Sequence, residues 1–190
     1  MKRYIRALGV DDSYFVPHEP GSTSLIGVLM RAPNYFEGML IRKIQVDGLD
    51  STEAILDMLS SKYGRQVRVL FTQGITFGGF NIVDIRRIWE ETNVPIIVVS
   101  RKEPDMGKIE NALKKHFEDW ERRIGLIKEY PITKIKNGEF ELFVQFVGID
   151  KDEVQNTVQQ FTVRGAIPEP LRVAHLIASA LYFGESKGKP

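Results

Sequence analysis

Three apolar, strand-like runs precede the first helical period in this chain. That order restricts the possible folds more than any other feature. Ile5–Val10 and Leu25–Met30 are compact apolar runs, and Met39, Ile41 and Ile44 mark a third. Loops rich in turn formers separate them: Asp11–Ser22 holds two prolines and a glycine, and the next loop holds Pro33 and Gly38. The period then changes. Ile55, Leu56, Leu59 and Tyr63 fall at helical spacing, with Asp50 or Ser51 placed to cap the start. Val67–Phe71 reads as a strand. Asn81, with Asp84 three residues on, is expected to open a helix that turns Val83, Ile88 and Trp89 inward. Pro95–Val99 reads as a buried strand, and Ile109, Leu113, Phe117, Trp120 and Ile124 form one long amphipathic stripe. Lys136-Asn137-Gly138-Glu139 signals a hairpin turn, and helices are expected over Lys151–Phe161 and Pro168–Tyr182.

Antiparallel strands feeding βαβα units imply an α/β fold with a mixed sheet flanked by helices. The three-strand start is characteristic of ribonuclease H-like architecture. The 190 residues suit one domain, expected over 1–183, with 184–190 as a polar, flexible tail. Hydrophobic residues at 43% and charged residues at 27% match an ordinary globular protein. With 26 basic against 25 acidic residues the net charge is +1, so any nucleic-acid contact must rest on a local basic patch. No cysteine is present, which excludes disulfides, zinc-thiolate sites and thiol nucleophiles. No apolar run approaches membrane-spanning length, so no membrane partner is expected and a soluble, cytoplasmic protein is.

Four segments hold side chains capable of chemistry. In Gly9-Val10-Asp11-Asp12-Ser13-Tyr14 two carboxylates leave the end of an apolar strand, where a hard cation such as Mg²⁺ finds oxygen ligands; a plain turn uses the same residues. Thr72–Asn81, containing Gly74 and Thr76, follows a strand and carries three glycines. Its backbone amides suit a phosphate, or simply a tight turn, and it lacks the P-loop lysine. His175 sits on an otherwise apolar helix, where a core histidine and a ligand look alike. Val46-Asp47-Gly48-Leu49-Asp50 is a strand-to-helix corner in which capping accounts for Asp50 but leaves Asp47 without an assigned role.

These segments, in this order, resemble endonuclease V and, more closely, its archaeal relatives grouped as domain of unknown function family 99. Ala7-Leu8-Gly9-Val10-Asp11-Asp12-Ser13-Tyr14 is similar to that family's first-strand motif, A-G-V-D-x-S-Y. Gly74 through Pro95, running into Ile96-Ile97, resembles its glycine-rich block followed by a helix and strand. Gly165-Ala166-Ile167-Pro168-Glu169-Pro170-Leu171-Arg172-Val173-Ala174-His175 is similar to its closing motif. The resemblance implies a ribonuclease H-like sheet and cleavage of DNA or RNA near deaminated bases such as inosine, with Mg²⁺ or Mn²⁺. It implies a catalytic, metal-holding role for Asp11 and a metal-proximal role for His175. Tyr35 falls at the family's base-prying wedge, and Arg101, followed by Lys102, falls where the family places a lysine.

Two family carboxylates are replaced, one by Lys43 and one by Gln73. A cation repels Mg²⁺, and an amide offers one neutral oxygen. Two-metal phosphodiester cleavage needs a charged cage, which Asp11 and His175 alone do not form. Asp12 and Asp47 are the candidate substitutes. The expected function is therefore nucleic-acid binding with metal-dependent phosphodiester hydrolysis, weak on inosine-containing DNA. The alternative is an inactive binding module that keeps the fold.

Overall fold

The computed structural model describes residues 5–17 and 19–186. Its opening hairpins are β1 (Arg6–Asp12), β2 (Ser22–Arg31) and β3 (Tyr35–Gln45). Then follow α1 (Ser51–Ser60), β4 (Val69–Gln73), the two short strands β5 (Thr76–Phe77) and β6 (Asn81–Ile82), α2 (Ile85–Thr92) and β7 (Ile96–Ser100). The chain closes with α3 (Met106–His116), α4 (Trp120–Lys128), β8 (Thr133–Asn137), β9 (Phe140–Val147), α5 (Lys151–Phe161) and α6 (Glu169–Phe183).

Among the described residues the main sheet has seven strands in the order β3-β2-β1-β4-β7-β9-β8. The three central strands β1, β4 and β7 run parallel, and the outer ones join antiparallel. Central parallel strands are apolar on both faces. On β1, Leu8 and Val10 pack with Ile55 and Met58 of α1 and Ile88 of α2. The alternate residue Ala7 joins Phe71, Val158 and Phe161 beneath α5 and Leu171 of α6. Ala174 and Ala178 of α6 cover Ile26, Val28 and Met30 of β2. The helix α6 therefore lies on the sheet face opposite α1 and α2. None of the helices among the described residues is long and apolar enough to cross a membrane.

Two expectations are corrected. Asn81 does not open a helix: it lies in β6, fully buried, and Asp84 caps α2 by accepting from Arg87 N at 2.9 Å. The Asn81 side chain instead ties three segments together. Its Oδ1 accepts from Ser51 N (3.0 Å), and its Nδ2 donates to Gln45 O (2.9 Å) and Asp50 Oδ1 (2.6 Å). The start of α1 is thus capped from outside, while the Asp50 carboxylate accepts from Gln45 N rather than from its own helix. The long stripe from Ile109 to Ile124 is two helices, broken where Phe117 takes extended backbone. Phe117 packs against Phe80 and beneath the buried Arg123 guanidinium, which donates to Gly48 O and Phe80 O. A charged donor thus satisfies two part-buried carbonyls beside the turn. Residues 187–190 of the expected tail lie outside the described residues.

Candidate functional site

The site forms where β1, β4 and β7 end on the α6 side. Gly9 lets α6 reach the sheet: a Cβ there would come within 2.4 Å of the backbone carbonyl carbon of Pro170 and 2.6 Å of its oxygen. Pro170 lies in the first turn of α6, where its missing N–H costs nothing. The close approach carries His175, further along the same helix, to Asp11. His175 Nδ1 stands 2.9 Å from Asp11 Oδ2, and Asp11 Oδ1 accepts from Asp12 N at 3.0 Å. Asp11 is buried, at 4% exposure, whereas the His175 side chain keeps 32% of its surface in solvent. One turn beyond this pair, Ser13 Oγ donates to Ala178 O at 2.7 Å and fastens the strand exit to the helix.

The electrostatics follow from this packing. The hydrogen bond to Asp11 raises the His175 pKa above its ordinary value, against partial burial and the nearby positive charge of Arg101. Asp12 is pushed up to about 7, first by burial and then by the charge of Asp11; a 2.5 Å bond from Gly78 N works the other way. The folded protein therefore holds the Asp12 proton more tightly than an unfolded chain does. That favours the fold below about pH 4 and is lost as pH rises toward 7. Asp12→Asn is expected to add about 2–4 kcal/mol of stability near pH 8, and almost none near pH 4. Thermal melts of both proteins in EDTA at the two pH values check this. A gain independent of pH would show that Asp12 does not titrate in this range.

The register that sets Val10 beside Thr72 puts Asp11 and Gln73 next to each other at the ends of adjacent strands. Alternation turns both toward α6. Gln73 Oε1 is buried and accepts no hydrogen bond. Next to it, Gln73, Gly74, Ser100, Arg101 and Lys102 line an open cavity of about 420 Å³. Thr76 lies off this cavity, on a separate apolar one of about 200 Å³ that it shares with Gly74 and Phe80.

Other expected site residues lie elsewhere. Asp47 takes a left-handed backbone (φ 56°), and its Oδ1 accepts from Phe80 N at 2.8 Å, so its carboxylate holds the corner against the β5–β6 turn. Tyr35 pairs with Arg31, which pairs with Arg6 at the start of β1; Asp11 is at the other end, about 17 Å away at strand spacing. Lys43 is exposed on the outer strand β3, opposite Ser24 of β2. Among the described residues no three of His, Cys, Asp and Glu gather as a metal-holding group. Nothing local in the sequence marks Gly9 for this role, because its partner lies 161 positions away.

A mixed sheet with these helices, and with its polar cluster at the ends of the central parallel strands, is an α/β fold of the kind found in endonuclease V. In line with this, endonuclease V from Ciona intestinalis, solved with inosine-containing DNA, superimposes with a TM-score of 0.59 at 15% identity, over 90% of this chain and 82% of that one. A protein of unknown function from Archaeoglobus fulgidus superimposes at 0.82 with 34% identity, over 93% and 98%. A UPF0215 protein of Methanothermobacter thermautotrophicus is 43% identical, over 99% of this chain and 93% of its own length. The family model described as endonuclease dU matches residues 3–182, and the chain belongs to that family.

Proposed function

We propose that the protein is a metal-dependent endonuclease that binds nucleic acid and cuts a phosphodiester bond near a deaminated base, with deoxyuridine as the first candidate. The observation that carries this reading is the Asp11–His175 pair, held at 2.9 Å at the ends of parallel strands and near a cavity lined by Arg101 and Lys102 together with Glu103. The family description supports deoxyuridine as the base.

The donor set fits one hard divalent cation. Asp11 offers a carboxylate, and the buried Gln73 Oε1, an acceptor without a donor, offers a neutral oxygen. Mg²⁺ commonly takes one or two carboxylates and completes its shell with substrate phosphate and water. Such an ion supplies Lewis-acid charge at the phosphate. Asp12 suits the role poorly, since burial keeps it protonated up to about 7. His175 holds a proton at Nδ1 toward Asp11 and leaves Nε2 for a substrate oxygen. Arg101 and Lys102 offset phosphate charge from the strand end.

A second reading, binding without cleavage, is favoured by Lys43 and Gln73, which stand where the resemblance places two carboxylates. One experiment separates them. Labelled single and double strands containing deoxyuridine, inosine or neither are incubated with Mg²⁺, Mn²⁺ or EDTA, and products are resolved by length. Metal-dependent nicking of the deoxyuridine strand, with little on inosine, supports the enzyme. Retention of strands without cutting in any metal leaves the binding module.

A further inference from the structure

We infer that Tyr14, Tyr182 and Phe183 form a stacking platform for one or two unpaired nucleobases of the strand whose phosphate lies at Asp11 and His175. This inference rests on the nucleic-acid reading above.

The strand exit and α6 meet along one seam in three successive contacts: Asp11 with His175 at 2.9 Å, Ser13 with Ala178 at 2.7 Å, and the rings of Tyr14 and Tyr182 at 4.4 Å between centroids. Phe183 extends the group, 5.6 Å from Tyr14 and 4.9 Å from Tyr182. Tyr182 follows His175 by two helical turns, so both project from the same side of α6, about 10 Å apart along the axis. The backbone under Tyr14 is held in place: Ser13 N donates to Ser24 O, and Thr23 Oγ1 lies within hydrogen-bond distance of the carbonyl oxygens of Ser13 and Tyr14.

Rings that serve only a core are buried, yet these remain 47%, 54% and 43% exposed. At about half of roughly 150–250 Å² each, the three offer roughly 200–400 Å². That falls well short of the ~800 Å² per partner of a stable protein–protein interface. It suits one or two bases, because every base has a π-face and stacks without regard to sequence. Arg101 and Lys102, with Glu103, line the cavity at the ends of β4 and β7, on the side of β1 away from the β2 strand that α6 covers, and a phosphate backbone leaving the site can continue there.

The test uses the full chain and a short fluorescein-labelled single strand carrying one deoxyuridine, with binding read by fluorescence anisotropy in EDTA. Tyr182→Ala is expected to bind about 5- to 150-fold more weakly, and Tyr182→Trp to bind within about threefold of the parent. An abasic site moved along the strand should cost the parent a similar factor at one or two positions near the deoxyuridine. The same abasic site should cost Tyr182→Ala nothing further. Unchanged binding by Tyr182→Ala, or losses that multiply in full, overturns the platform. If Tyr182→Ala fails to fold, the abasic scan on the parent decides alone, and a flat scan overturns the platform. A flat scan with a changed oligomeric state in Tyr14→Ala reassigns the rings to self-association. Failure of the parent to bind any strand overturns the nucleic-acid reading as well, whereas a parent that binds and cuts beside an unaffected Tyr182→Ala overturns the platform only.

Discussion

Asp11→Asn is expected to lower metal-dependent cleavage at least about a hundredfold while leaving strand binding within a few fold. The asparagine keeps the shape and one oxygen but removes the negative charge on which the proposed cation and the His175 proton would both depend. It also changes the histidine. The Asp11 hydrogen bond is the main cause of the raised His175 pKa, so the variant should titrate closer to an ordinary imidazole. The NMR shift of the His175 ring protons against pH reads this without reference to activity. Robust cutting by Asp11→Asn, with an unchanged His175 titration, would remove Asp11 from the site and leave the pair as a packing contact. Loss of cutting with an unchanged titration would keep Asp11 as a charge and discard its role on the imidazole.

Gly9→Ala is expected to destabilise the fold and to disturb the site at the same time. The new Cβ would lie 2.4 Å from a backbone atom of Pro170, and backbone in a helix start cannot step aside as a side-chain tip can. Overpacking of this kind costs about 1–3 kcal/mol, and more where the neighbour is rigid. For a chain of this size 3 kcal/mol lowers Tm by roughly 6–12 °C. The relief available is a shift of α6 away from β1, which lengthens the Asp11–His175 contact. The variant should therefore lose the raised His175 pKa together with stability. Gly125→Ala is the control: its Cβ would meet nothing within 4 Å, on an exposed face of α4, and Tm should change little. A melting curve for Gly9→Ala that matches the parent would show that α6 does not press on β1 as described.

Asp11 shows how one residue's site is only half written locally. Gly9-Val10-Asp11 places a carboxylate at the exit of an apolar strand, and that position follows from alternation and chain direction alone. Its neighbours do not follow from any local rule. His175 reaches it because a helix 164 positions away packs over Gly9, and Gln73 reaches it because β4 pairs in one register and no other. The family resemblance linked Asp11 to His175 by likeness; the hydrogen bond and its effect on both groups required coordinates.

Asp47 and Asn81 mark the opposite limit. Both residue types suit caps, turns and ligands, and spacing along the chain does not distinguish these uses. In the fold, Asp47 serves Phe80 N, and Asn81 holds Ser51, Gln45 and Asp50 together. Buried amides must find acceptors somewhere, and the nearest flexible polar side chain is taken by whichever segment packs beside it. The stripe at Phe117 shows the same limit: helical periodicity runs through Ile109–Ile124, but in the fold it divides into two helices, with the buried Arg123 donating to carbonyls of two other segments.

The sequence by itself determined the order of the seven main strands and of the helices α1, α2, α5 and α6, the mixed sheet and the strand-end place of Asp11, because side-chain periodicity and turn chemistry act over a few residues. Only the tertiary structure decided which polar groups meet. Pairing register, the approach of α6 across Gly9 and the satisfaction of buried hydrogen bonds are long-range constraints, and they drew His175 into the cluster while holding Asp47 in the turn.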